Sequence, residues 1–215
     1  MNTVQRLSRG TRVGRDALRL QAIEAGRRIL RKEGAKALNA RRIASEIGVA
    51  VGTLYNLFAN FDEIVLHLNL ETLEELEQSF ARSTLPKDPA TATEVLANTF
   101  LEFTAKHRHQ WAAVLEFKTE HKLPIRAELR AVVARLASHV EQALAPLFPA
   151  GAVEERRLSA AVLWTSLEGI GALSAGGYSR LVAPASARDM AASLIANYVA
   201  GLTRRMRPNG IEGNR

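Results

Sequence analysis

Residues 39–58, NARRIASEIGVAVGTLYNLF, constrain the fold of this chain more than any other stretch. Asn39 is placed to cap a short helix from about 40 to 47, Gly48 ends it, and a second short helix runs from about 51 to 58. Ile43, Ala44, Ile47, Val49, Leu54 and Phe58 are spaced to share one core, which is the size and pattern of a helix-turn-helix. The second helix is only two turns long and cannot fold alone, so neighbouring helices have to hold it. Its outward face carries Gly52, Thr53 and Asn56, with Tyr55 beside them. A helix with small residues near its N-terminus fits deep in a DNA major groove, and its first N–H groups point toward phosphate.

The rest of the chain reads as helix. Ala, Leu, Glu and Arg dominate, and no alternating Val/Ile/Thr stretch is bounded by turn residues. A first helix is expected near 16–33, with Leu18, Ala22, Ala25 and Ile29 on one face, Asp16 at its start and Gly34 at its end. A fourth helix begins near Asp62 and fades before Pro86–Pro89. Further apolar-striped helices follow near 90–106, 109–120, 125–147, 153–175 and 186–206, punctuated by Pro124 and Pro146–Pro149. Residues 176–184 read as loop. The expected division is a basic flexible arm at 1–15, a helix-turn-helix head at 16–62, a helical body at 63–207 and a disordered tail at 208–215.

Charge separates the two ends of the chain. Residues 1–60 hold 12 Lys and Arg against 4 Asp and Glu, whereas residues 61–215 hold 17 against 18. The net charge of +7 therefore resides in the first 60 residues, which points to a polyanion partner at that end. Nucleic acid is the first choice and a membrane surface the second. Arg6, Arg9, Arg12, Arg15 and Arg19 recur at mostly three-residue spacing, as an arm tracking phosphates would or as a solvated tail would. The chain lacks cysteine, which excludes disulfides, thiolate zinc sites and a cysteine nucleophile, and fits a cytoplasmic location. No run of about 18 apolar residues is present, so no membrane span is expected.

The resemblance becomes specific over residues 16–66. AGRRILRKEG at 25–34, Arg42-Ile43-Ala44, Ile47-Gly48-Val49, Gly52-Thr53-Leu54-Tyr55, Phe58 and Asp62-Glu63-Ile64 together resemble the DNA-binding domain of the TetR family of transcriptional regulators. The resemblance implies an all-α fold: a three-helix DNA-binding head joined to a helical body that binds ligand and dimerises. It implies a sequence-specific regulator, a repressor released from a double-stranded operator by a small-molecule effector of unknown identity, acting as a homodimer. Residue by residue it implies that Arg41 touches a base or phosphate. Gly52 and Thr53 face the groove, Tyr55 places its hydroxyl on a phosphate, and Asn56 reaches a base edge or phosphate. Leu54 and Phe58 fall to the core. Three positions depart from the family pattern: Ala50 stands where a capping Ser is common, Leu57 where a DNA contact is common, and Phe61 where a phosphate-binding Lys is common.

The remaining chemistry is sparse. His67, His107, His109, His121 and His139 do not form the i, i+4 pair with a nearby carboxylate that a helical zinc site needs, so neither metal nor cofactor is expected. No nucleophile elbow, phosphate loop or dinucleotide fingerprint occurs, and an enzyme reading has no catalytic residues to rest on. Gly169, Gly171, Gly176 and Gly177 are read as allowing a close helix approach or ending a helix. Phe100, Phe103, Trp111, Phe117 and Trp164 fall in the middle helices, where aromatics are either core or the wall of a ligand cavity. Phe103, Trp111, Phe117, Trp164 and Glu168 are the expected effector contacts. Glu168 follows Trp164 by one helical turn and would favour a cationic or hydroxylated ligand. The competing reading is a basic all-helical adaptor that binds membrane or protein without reading DNA sequence.

Overall fold

The computed structural model describes the backbone of residues 3–117, 127–175 and 185–206, and side chains from Gly14 onward within these spans, save that of Ala175. Among the described residues every regular element is helical. The α-helices are α1 (Thr3–Glu33), α2 (Ala40–Glu46), α3 (Val51–Leu57), α4 (Phe61–Ala81), α5 (Pro89–Lys106), α6 (Arg108–Glu116), α7 (Ala127–Leu144), α8 (Val153–Ala175) and α9 (Ala187–Met206). Single 3-10 turns at Ala35–Ala37 and Ala145–Leu147 complete the set. The loop expected at 176–184, the tail at 208–215, and Pro124 and His121 lie outside the described residues.

Capping residues set the helix boundaries. Asn39 Oδ1 accepts the Arg42 N–H at 2.9 Å and opens α2. Asn60 Oδ1 accepts the Glu63 N–H at the start of α4. Asp88 precedes Pro89, takes the Thr91 N–H and hydroxyl, and opens α5. Ser186 and Asp189 bond reciprocally through side chain and backbone at the start of α9. Gly34 ends α1 with φ 83° and donates its N–H to Leu30 O, a conformation that a side chain would strain.

The helix expected from Asp16 begins at Thr3 instead. Residues 3–15 contain no proline, and Gly10 and Gly14 cost a helix only about 1 kcal/mol each, too little to stop it.

The chain falls into two compact units. The first holds residues up to Leu73 together with α6; the second holds Glu74–Lys106 and the helices from Ala127 onward. In the first, Ala22, Ala25, Ile29 and Leu30 of α1 pack with Ile43, Leu54, Leu57, Phe58, Ile64, Leu68 and Ala113. Two points tie α6 into this unit. His109 Nδ1 lies 3.0 Å from Arg31 O at the end of α1, and Asn69 Nδ2 donates to Ala113 O at 3.3 Å. A backbone carbonyl only accepts, so the His109 proton sits on Nδ1.

The core of the second unit is built from Leu96 and Phe100 of α5, Val132, Leu136 and Leu144 of α7, Leu163 and Leu167 of α8, and Ile195 and Leu202 of α9. A Cβ at Gly169 would meet open space, and one at Gly171 would be 3.6 Å from Phe100, an ordinary contact. Neither glycine is therefore required by close helix packing, and neither ends α8, which runs on to Ala175, so neither alternative expected from sequence holds for them; Gly176 and Gly177 lie outside the described residues.

Candidate nucleic-acid interface

Burial on one side of the helix-turn-helix decides what the other side presents. Ile43, Ala44, Leu54, Leu57 and Phe58 are buried, which fixes the rotation of both short helices. Gly48 turns the chain between them at φ 71°, and Val49 donates back to Ala44 O. At Gly26 an added Cβ would lie 3.3 Å from Leu68 and 3.4 Å from Ile43, so the absent side chain lets α1 close against α2 and α4.

Arg41 on α2 and Gly52, Tyr55 and Asn56 on α3 are consequently exposed. Tyr55 keeps 50% of its surface open. A Cβ added at Gly52 would meet nothing within 4 Å, so the face there is open to close approach by a ligand backbone. Tyr55 and Asn56 stand three and four residues beyond Gly52 and flank it on one side of the helix. Thr53 is half-buried. Leu57, at a position that often contacts DNA in the resembled family, is 7% exposed and belongs to the core. Ala50 provides no side-chain cap to α3.

The N-terminal arginines divide. Arg15 donates to Asn56 O and Arg19 to Leu57 O, each at 2.6 Å, so these two bind the end of α3. Arg19 also reaches Glu63 Oε1 at 2.6 Å, lies over the Phe58 ring at 4.3 Å and approaches His67 Nε2 at 3.0 Å. A guanidinium only donates, so His67 Nε2 accepts. Glu63 is 8% exposed and uses its second oxygen to take the Ala59 N–H at 2.7 Å. The side chains of Arg6, Arg9 and Arg12 lie outside the described residues. Sequence reasoning missed the Arg15 and Arg19 contacts with α3; its one usable signal was Asn60 followed three residues later by Glu63, a capping pair.

The expected effector contacts fall in both units. Phe103, Trp164 and Glu168 belong to the second, Trp111 and Phe117 to the first. Trp164 is half-buried, edge-on to Phe80 at 6.2 Å and tilted against Phe100 at 5.4 Å. Glu168 is half-buried beside it; burial raises its carboxyl above the ordinary carboxylate range, and a hydrogen bond from Trp164 opposes that rise. Phe103 and Trp111 are buried and Phe117 is half-buried. A cleft of about 400 Å³ lies in the first unit, but its walls are cross-linked by Arg28–Glu46 and Arg42–Glu33 pairs, which suits solvated surface. Among the described residues no cluster of metal-ligating side chains occurs, and no helix is long and apolar enough to cross a membrane.

Residues 22–68 match the family model of bacterial regulatory proteins of the tetR family. No curated protein matches the chain. Among solved structures, a Rhodococcus protein of unknown function is similar at 17% identity and a TM-score of 0.67, over 86% of this chain and 95% of that one. The TetR-family regulator PfmR of Thermus thermophilus is similar at 16% identity and 0.58, over 84% and 97%. The multidrug binding protein EbrR, solved with imidazole, is similar at 23% identity and 0.56, over 84% and 93%. The exposed Gly52–Asn56 face thus lies within a stretch that matches the DNA-binding domain model of the tetR family, in a chain whose fold is similar to that of solved TetR-family regulators.

Proposed function

We propose that this protein is a transcriptional repressor that binds a double-stranded operator as a homodimer and leaves it when a small-molecule effector binds. The observation that carries the DNA reading is the open face of α3, where Gly52, Tyr55 and Asn56 are exposed while Leu54, Leu57 and Phe58 anchor the helix from behind. On this reading residues 16–62 form the reading head. Arg41 and Tyr55 bond phosphates or a base, Gly52 and Thr53 face the groove, and Asn56 reaches a base edge or phosphate. The body at 63–207 receives the effector and pairs with a second copy. Two heads of a dimer then meet successive major grooves about 34–36 Å apart.

The residues proposed to touch the effector are Phe103, Trp164 and Glu168 in the second unit and Trp111 and Phe117 in the first. The aromatic wall around Trp164 offers apolar surface, and the desolvated Glu168 favours a cationic or hydroxylated ligand. An effector that favours a head spacing different from the operator-bound one releases DNA by that difference in affinity.

The test is selection of bound duplex from fragments of the source genome, followed by titration of variants. Arg41→Ala and Tyr55→Phe are each expected to weaken operator binding by about 1.5–3 kcal/mol, the value of a hydrogen bond to a charged group, with the helical spectrum unchanged. Parental affinity in both variants refutes the contact assignment. Failure to select any sequence favours the adaptor reading.

A further inference from the structure

We propose that Arg19, assisted by Arg15, is a positioning residue that sets the direction of α3 for DNA reading rather than a phosphate contact. The inference rests on α3 being the DNA-reading helix, as proposed above. A seven-residue helix leaves most of its terminal N–H and C=O groups without intrahelical partners. At its start, α3 has only Ala50, which supplies no side-chain cap. Its end is held from outside. Arg15 and Arg19, one turn apart on α1, donate to the successive carbonyls of Asn56 and Leu57. A guanidinium there also complements the negative end of the helix.

Arg19 does more than satisfy a carbonyl. Through Glu63 it reaches the first turn of α4, and Glu63 in turn holds the Ala59 N–H in the link between α3 and α4. The guanidinium carbon also lies 4.3 Å from the centre of the Phe58 ring, a cation–π contact that adds a further hold on the side chain. One side chain therefore joins α1, the end of α3 and the start of α4. A planar fork with several donors can serve these acceptors together, whereas a lysine ammonium keeps the charge without the fork. Asn56 is at once an exposed face residue and the owner of a clamped carbonyl, so a shift at this end moves the reading face directly.

Arg19→Lys tests this, with binding to the selected operator and to unrelated duplex measured over a salt series. The expected result is a fall of about tenfold in the ratio of operator to unrelated affinity. Affinity for unrelated duplex and the salt slope should stay parental, because the number of phosphate contacts is unchanged. Glu63→Gln leaves Arg19 in place but removes the charge of its partner; it is expected to lower the same ratio, and it serves if Arg19→Lys fails to fold. Combining the two should add little to either alone, since both break one network. A parental ratio in the folded variants overturns the proposal, as does a salt slope lower by about one in the charge-removing Arg19→Gln, which would identify Arg19 as a phosphate contact. A parent protein with no preference for any duplex would instead defeat the underlying DNA reading, and this inference with it.

Discussion

Glu168 lies one helical turn beyond Trp164, half out of water, and burial raises its affinity for a proton. A raised carboxyl is protonated in the folded chain over a range where the unfolded chain has already ionised. Its favourable contribution is therefore complete below the unfolded value and is lost as pH rises through the folded one. Glu168→Gln keeps an acceptor for the Trp164 N–H and removes the charge. The variant should unfold at a higher temperature than the parent at pH 7, and the gain should shrink below about pH 4, where both side chains are neutral. A gain that is absent at pH 7, or equal at both values, would mean that the carboxylate is well solvated. The same scale shows what the sequence could reveal about the DNA site. Once the helix-turn-helix pattern turned Leu54 and Phe58 inward, the exposure of Gly52, Tyr55 and Asn56 followed from helical spacing. Arg19 was not legible, because its partners lie 38 and 44 residues away and one of them is a backbone carbonyl that no side-chain pattern marks. Leu57 was ambiguous for the opposite reason: an apolar residue at a contact position becomes a core residue only when α1 and α4 are there to cover it.

Caps made the helical elements readable. Asn39 marks the start of α2 in sequence and bonds the Arg42 N–H in the structure. Asp88 before Pro89, and Ser186 with Asp189, open α5 and α9 with the same kind of bond, although in the sequence those helices are recognised by their apolar stripes. The start of α1 carried no such mark. Asp16 suits a first turn but does not require one, and the helix runs back to Thr3. The cap of α2 has a measurable weight: Asn39→Ala should destabilise the protein by about 1 kcal/mol in denaturant unfolding. Because α2 supports α3 from behind, DNA affinity should fall no further than this loss of folded helix explains. A change below about 0.3 kcal/mol would show that water replaces the side chain at no cost.

At the scale of the whole molecule, α8 is apolar on more sides than its own unit buries. Leu163 and Leu167 face the core, yet Leu158, Val162 and Leu173 remain 67%, 39% and 50% exposed. A two-fold partner that buries this surplus is the expected occupant, since a symmetric interface presents the same patch twice. The parent should sediment as a dimer at micromolar concentration, and the Leu158→Glu, Val162→Glu double variant as a folded monomer. A variant that stays dimeric would place the pairing surface elsewhere. The membership of α6 in the first unit bears on how this protein can be taken apart. Its residues follow Leu73 by more than thirty positions, yet Ala113 is part of the first unit's core, while His109 and Asn69 make the bonds that fasten it there. The first unit is thus assembled from two separated stretches of polypeptide. A chimera that transplants only the first 73 residues onto another regulator would leave behind a buried wall of the piece it meant to move, and the junction that respects the architecture carries α6 along.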